Sequence, residues 1–159
     1  MGWAKNETVT LTVAGDVMQI TDLTAKKFNM FLIHSIASGN ISHSIRYNNN
    51  SNSVYAQRNA SNGGGDGTQV SQTIIDEPLA YANDKFEVQY VCSISGEEKL
   101  MMADRILGGT IGSANAPNRG EMVAKFVPSP DAGITRIDNI NDQSGDYGVD
   151  SNISALSTD

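Results

Sequence analysis

At 159 residues and a net charge of −7, with 39% hydrophobic and 18% charged residues, the chain can bury a sizeable single core and is not a charged disordered polymer. An acidic balance repels phosphate backbones, and no apolar run approaches the about eighteen residues of a bilayer-crossing helix, so neither nucleic acid nor membrane is an expected partner. Asn, Ser and Gly number 15, 16 and 15; they favour turns over helix interiors, which reads as short strands joined by polar loops.

In chain order, residues 1–6 carry no apolar stretch of the secretory kind, so synthesis in a cytoplasm is expected. Residues 7–13 set Val9, Leu11 and Val13 against threonines, the pattern of a half-buried strand. Residues 28–36 are apolar on both alternating faces, as in a central strand, and 41–47 alternate again. A turn cluster at 48–53 leads to a short strand at 54–58. The run Gly63-Gly64-Gly65-Asp66-Gly67 makes 59–68 a loop. Strands are expected at 69–75 and 85–94. Cys92, the single cysteine, sits in the alternation Phe86, Val88, Tyr90, Cys92, Ile94, which reads as a buried, inert thiol.

Residues 97–107 read two ways. Ser95 and Glu98 form a capping box and Gly108 a stop, which favours a helix. The alternation of Leu100, Met102, Asp104 and Ile106 with Met101, Ala103, Arg105 and Leu107 fits a strand buried on both faces equally well. A loop at 108–120 precedes strands at 121–127 and 134–140. The domain is expected to span 1–147, followed by a polar C-terminal strand or tail at 148–159 with Ile153 and Leu156 as its last apolar patch. Strand-like runs every ten or so residues, with no alternating helices and no fixed repeat, point to an all-β, antiparallel β-sandwich (jelly roll) with little or no helix.

No chemistry stands out. The glycine loop continues as Thr68-Gln69-Val70 rather than the Gly-Lys-Ser/Thr of a phosphate loop. The oxygen-rich segment Asp138–Asp146 has Ile140 where an EF-hand needs a ligand, and no closing Glu. His34 and His43 could face one another in adjacent strands but have no carboxylate or thiol to complete a metal site. Asp76-Glu77 and Glu97-Glu98 read as solvated turn charges. No catalytic residue, metal or cofactor is therefore expected. Tyr55 and Tyr81 lie in polar, loop-like surroundings and are the candidates for stacking on a sugar ring.

From Ile45 to Tyr147 the sequence resembles a family of small phage-encoded virion domains. The matching pieces are Ile45–Asn49, Tyr55-Ala56 with Arg58, Asn62–Gly64 with Asp66-Gly67, Glu98–Leu100, Gly109-Thr110 through Ala116–Arg119, Lys125-Phe126, Ile134–Ile137 and Gly145–Tyr147. They keep their order over about two-thirds of the chain; the departures are Phe126 in place of a Trp and a more polar C-terminus. The resemblance implies a jelly-roll or concanavalin-like sandwich in the structural proteins of tailed viruses, no enzymatic activity, and a strand at 98–107. It places the chain in a virion, as a capsid decoration, fibre or tail component, with a homo-oligomer and other virion proteins as partners. Arg46, Arg58 and Arg119 lie beside Asn- and Gly-rich turns and, with Asn62 and Asp66, are the candidate subunit contacts. The rival expectation is a carbohydrate-binding module that attaches to a host-surface glycan.

Overall fold

The computed structural model describes residues 2–76, 82–109, 112–128 and 132–159. Among them there is no helix. The strands are β1 (Ala4–Thr10), β2 (Val17–Ile20), β3 (Phe28–Ser35), β4 (Ser44–Tyr47), β5 (Tyr55–Ser61), β6 (Gly67–Gln72), β7 (Ile75–Asp76), β8 (Lys85–Cys92), β9 (Lys99–Leu107), β10 (Asn118–Phe126), β11 (Ile137–Ile140) and β12 (Asn152–Thr158). They form two antiparallel sheets, β1-β12-β3-β8-β9-β10-β5-β6 and β2-β11-β4-β7. The chain crosses repeatedly between the sheets, and only β5-β6 and β8-β9-β10 run on within one.

The all-β sandwich expected from the strand rhythm is the observed fold. Residues 99–107 are a strand paired over all nine residues with β10 and over eight, 100–107, with β8; such a double ladder outweighs the local helix signal of a capping box. The β5-β6 hairpin turns at Asn62 and Gly63, both at positive φ, a conformation that favours this Asn-Gly pair. The polar C-terminus is a strand within the large sheet: β12 lies between β1 and β3 and sends Ile153 and Ala155 into the core. β2 carries only four residues, too few for alternation to announce it.

Between the sheets, Phe31, Tyr47, Phe126 and Tyr55 form a run of rings. Tyr55 and Phe126 stack at 4.9 Å, and Tyr47 lies 5.9 Å from Phe126 and 6.3 Å from Phe31. The Tyr55 hydroxyl accepts the Tyr47 backbone N–H at 3.1 Å and lies 3.0 Å from the Asn50 carbonyl, which ties the 48–53 turn to the core. Burial pushes the Tyr55 phenol up to about 12. Tyr55 is 1% exposed and cannot stack on a sugar, contrary to its expected role; its polar sequence neighbours form the turn that covers it.

The two histidines do not meet. β3 and β4 belong to different sheets, so His34 points away from the core while His43 is buried between the sheets. Cys92 is half-buried on the outer face of the large sheet rather than in the core. That displacement extends to whole strands.

Candidate functional site

Alternation divides each strand into two sets of side chains, and in the middle of the large sheet the apolar set faces outward. β8 turns Lys85, Glu87 and Gln89 inward and Phe86, Val88 and Tyr90 outward. β9 buries Lys99, Met101, Ala103 and Arg105 and exposes Leu100, Met102 and Ile106. Met101 is 4% exposed and Met102 53%. The strand alternative for this segment holds, but not with burial on both faces, because the second sheet covers only one side.

The inward polar set is held by specific partners. The Lys85 ammonium donates to the Ile41 carbonyl at 3.0 Å, and Lys99 donates to the Ile94 and Glu97 carbonyls at 2.6 and 2.8 Å. Tyr47 donates to Gln89 Oε1 at 3.1 Å, and Gln89 Nε2 donates to Glu87 Oε1 at 2.6 Å. Glu87 Oε2 lies 3.5 Å from His43 Nδ1, and Arg105 is the cross-strand neighbour of Glu87. Burial alone would raise the Glu87 carboxyl, but His43, Arg105 and Gln89 together hold it below its ordinary value. Room for Arg105 comes from Gly120 opposite it: a Cβ there would sit 2.2 Å from the Arg105 Nε.

The outward set forms cross-strand rows. One runs Leu156, Met30, Tyr90, Met102, Val123 and Arg58 over six strands. A second runs Phe28, Cys92, Leu100 and Lys125. Trp3, just before β1, and Val70 of β6 lean in from the opposite margins, and a hollow of about 670 Å³ lies between them. Among the described residues, Arg58 and Lys125 are its charged lining. A smaller hollow of about 320 Å³ adjoins it along β9 and β10 and is lined by Asp66, Asp104 and Glu121 as well as Arg58. Asp104 and Glu121 face one another directly across β9 and β10, an arrangement of like charges that is unfavourable in isolation.

Four of the five expected contact residues come together at one corner of this face. Arg58 pairs with Asp66 at 3.2 Å. Asn62 Oδ1 accepts the Arg119 backbone N–H at 2.9 Å, and Arg119 lies 3.6 Å from Glu121. Arg46 stands apart on β4, in register with Asp138. Tyr81 lies outside the described residues. Sequence reasoning missed the outward apolar residues themselves; their alternation was visible, but its direction was not.

The oxygen-rich segment 138–146 is taken up structurally. Arg136 Nε donates to both Asp138 carboxylate oxygens at 2.8 and 3.0 Å. Asn141 accepts the Ser42 N–H at 2.9 Å and donates to Asp16 at 3.0 Å and to the Gly145 carbonyl. The Asp142 carboxyl is held below its usual value by hydrogen bonds from Gln143 and Ser42. Among the described residues, no three His, Cys, Asp or Glu side chains are grouped to hold a metal ion. Compared with family models, with characterised proteins and with solved structures, the chain matches none.

Proposed function

We propose that the chain is a non-enzymatic structural subunit of a viral particle, a capsid decoration, fibre or tail component that works by binding other protein subunits. The outward apolar face carries this reading. Nine large apolar side chains stand about half out of the sheet; with ~150–250 Å² available on each aromatic and somewhat less on each aliphatic, they offer roughly 800 Å². The largest apolar patch on a typical monomer is about 300–600 Å², so the face suits a surface that other protein covers. The ordered resemblance to phage virion domains supplies the setting. Mass spectrometry and immunogold labelling of purified virions test the reading: many copies per particle are expected. Absence from particles, together with no binding to any virion component, overturns it.

A second reading, attachment to a host glycan, draws on Trp3, Phe28 and Tyr90, which line the larger hollow and are about 40–45% exposed. Glycan-array binding that Trp3→Ala and Tyr90→Ala abolish would favour it over subunit binding. The middle of the hollow is apolar, with Leu100, Met102, Val123 and Val70, while polar lining residues such as Arg58, Thr68 and Lys125 also belong to it; the apolar middle favours protein as the occupant.

A further inference from the structure

We infer that the occupant of the apolar face is a second copy of this chain, docked face to face about a two-fold axis lying along the Tyr90–Met102–Val123–Arg58 row. The inference rests on the reading that the chain acts through subunit contacts, and two observations fit a copy of itself.

The first is area. Roughly 800 Å² per side is what each partner contributes to a stable interface of ordinary size. In an isologous pair the same patch serves both sides, so an apolar row lying on the axis meets itself: Met102 against Met102, Val123 against Val123, Tyr90 against Tyr90.

The second is charge. Along β10 the outward residues run Lys125, Val123, Glu121, and β9 sets Leu100, Met102 and Asp104 beside them in the same order. Rotation about the Met102–Val123 row carries Lys125 of one copy over Glu121 of the other, beside Asp104, and the reverse contact forms at the same time. The larger hollow, which Lys125 lines, then faces the smaller hollow, whose lining includes Asp104 and Glu121; Arg58, which lines both, lies on the axis opposite its own copy and keeps Asp66 as its partner at 3.2 Å. Within one copy Lys125 Nζ holds Glu98 at 2.9 Å and Glu121 lies 3.6 Å from Arg119, so the contact between copies gives Lys125 a second carboxylate and the opposed Asp104–Glu121 pair a second cation. Arg58, Met102 and Val123 line both hollows and so mark where the axis passes. A chain of net charge −7 would otherwise repel its own copies, and this local alternation is what offsets that repulsion.

The test is self-association of the full chain by sedimentation velocity and light scattering between 1 and 100 μM. A dimer is expected for the natural sequence, with dissociation promoted by salt. Met102→Glu, at an exposed position that leaves the circular dichroism spectrum unchanged, should weaken it about 100-fold or more, since it sets two carboxylates against each other on the axis. Lys125→Glu and Glu121→Lys should each weaken it about tenfold, because attraction becomes repulsion at two symmetry-related contacts, and the double variant should restore it. A chain monomeric throughout overturns the pairing, as does a dimer that ignores these substitutions or a charge swap no better than its single components. A monomer still found in virions overturns the pairing and leaves the virion reading in place. A charge-swap-sensitive dimer that is missing from particles supports the pairing and overturns only the virion reading.

Discussion

Replacing Glu87 with Gln removes one buried charge while nearly keeping the side chain's shape. Glu87 is 1% exposed, 3.5 Å from the His43 ring, and cross-strand from Arg105. The hydrogen bond accepted from Gln89 survives the change, because the new amide oxygen can take the place of Oε1. What is lost is the negative charge between two basic side chains. Removing one partner of a buried ion pair costs about 3–5 kcal/mol, and with the hydrogen bond retained the lower end, about 3 kcal/mol, applies. For a domain of this size that lowers Tm by about 6–12 °C.

The pH dependence separates charge from packing. The folded-state carboxyl titrates below its ordinary value of 4.5. Its stabilisation is therefore fully present above that value and is lost as pH falls through the lowered folded-state pKa. Urea unfolding of the natural chain and of Glu87→Gln should show a constant gap from about pH 7 down to about pH 5.5, narrowing in more acidic solution. A gap under about 0.5 kcal/mol at neutral pH, or one that persists unchanged into acid, would refute the electrostatic account of this cluster.

Met101→Ala should cost about 2–5 kcal/mol by leaving a core cavity, whereas Met102→Ala should cost under about 1 kcal/mol when unfolding is followed at a concentration too low for self-association. Equal costs would refute the assignment of the two faces of β9. Gly145→Ala should destabilise by about 1–3 kcal/mol in urea unfolding, since its Cβ would lie 2.6 Å from the Gly39 carbonyl carbon and 2.8 Å from the Asn40 oxygen; an unaltered midpoint would refute that close packing. Deleting residues 152–159 should abolish the cooperative transition and the dispersed amide NMR spectrum, because β1 and β3 lose their shared strand; a natively dispersed spectrum would show that segment to be the dispensable tail its polarity suggests.

Much of the candidate face was written in the alternation of β8 and β9, but with its sign missing. Phe86, Val88 and Tyr90 look like a core-facing set, and the charged residues between them look like a solvent-facing one. The chain inverts both. Lys85 and Lys99 find loop carbonyls from Ile41, Ile94 and Glu97, segments separated from them in sequence or folded back over them, and Glu87 finds His43, which immediately precedes β4 of the other sheet. None of these partners is implied by a strand's own pattern. Tyr55 shows the same gap from the other direction: its polar neighbours suggested exposure, yet the 48–53 turn uses the phenol as its anchor. The corner uniting Arg58, Asn62, Asp66 and Arg119 was partly foreseeable, since a hairpin necessarily brings Arg58 near Asp66, while Arg119 arrives only through the pairing of β10 with β5.

From the sequence alone, then, came the class of structure: β-branched alternation, turn residues at short intervals and the Asn62-Gly63 bend are local, and local sterics suffice to produce strands and their reversals. Tertiary structure alone decided which side of each strand is inside and that β12 belongs between β1 and β3; residues 99–107, whose local signals read both ways, form the strand that the resemblance implied. A period of two names two faces without ranking them. The ranking follows from which face the second sheet covers, and that depends on contacts between residues far apart in the chain.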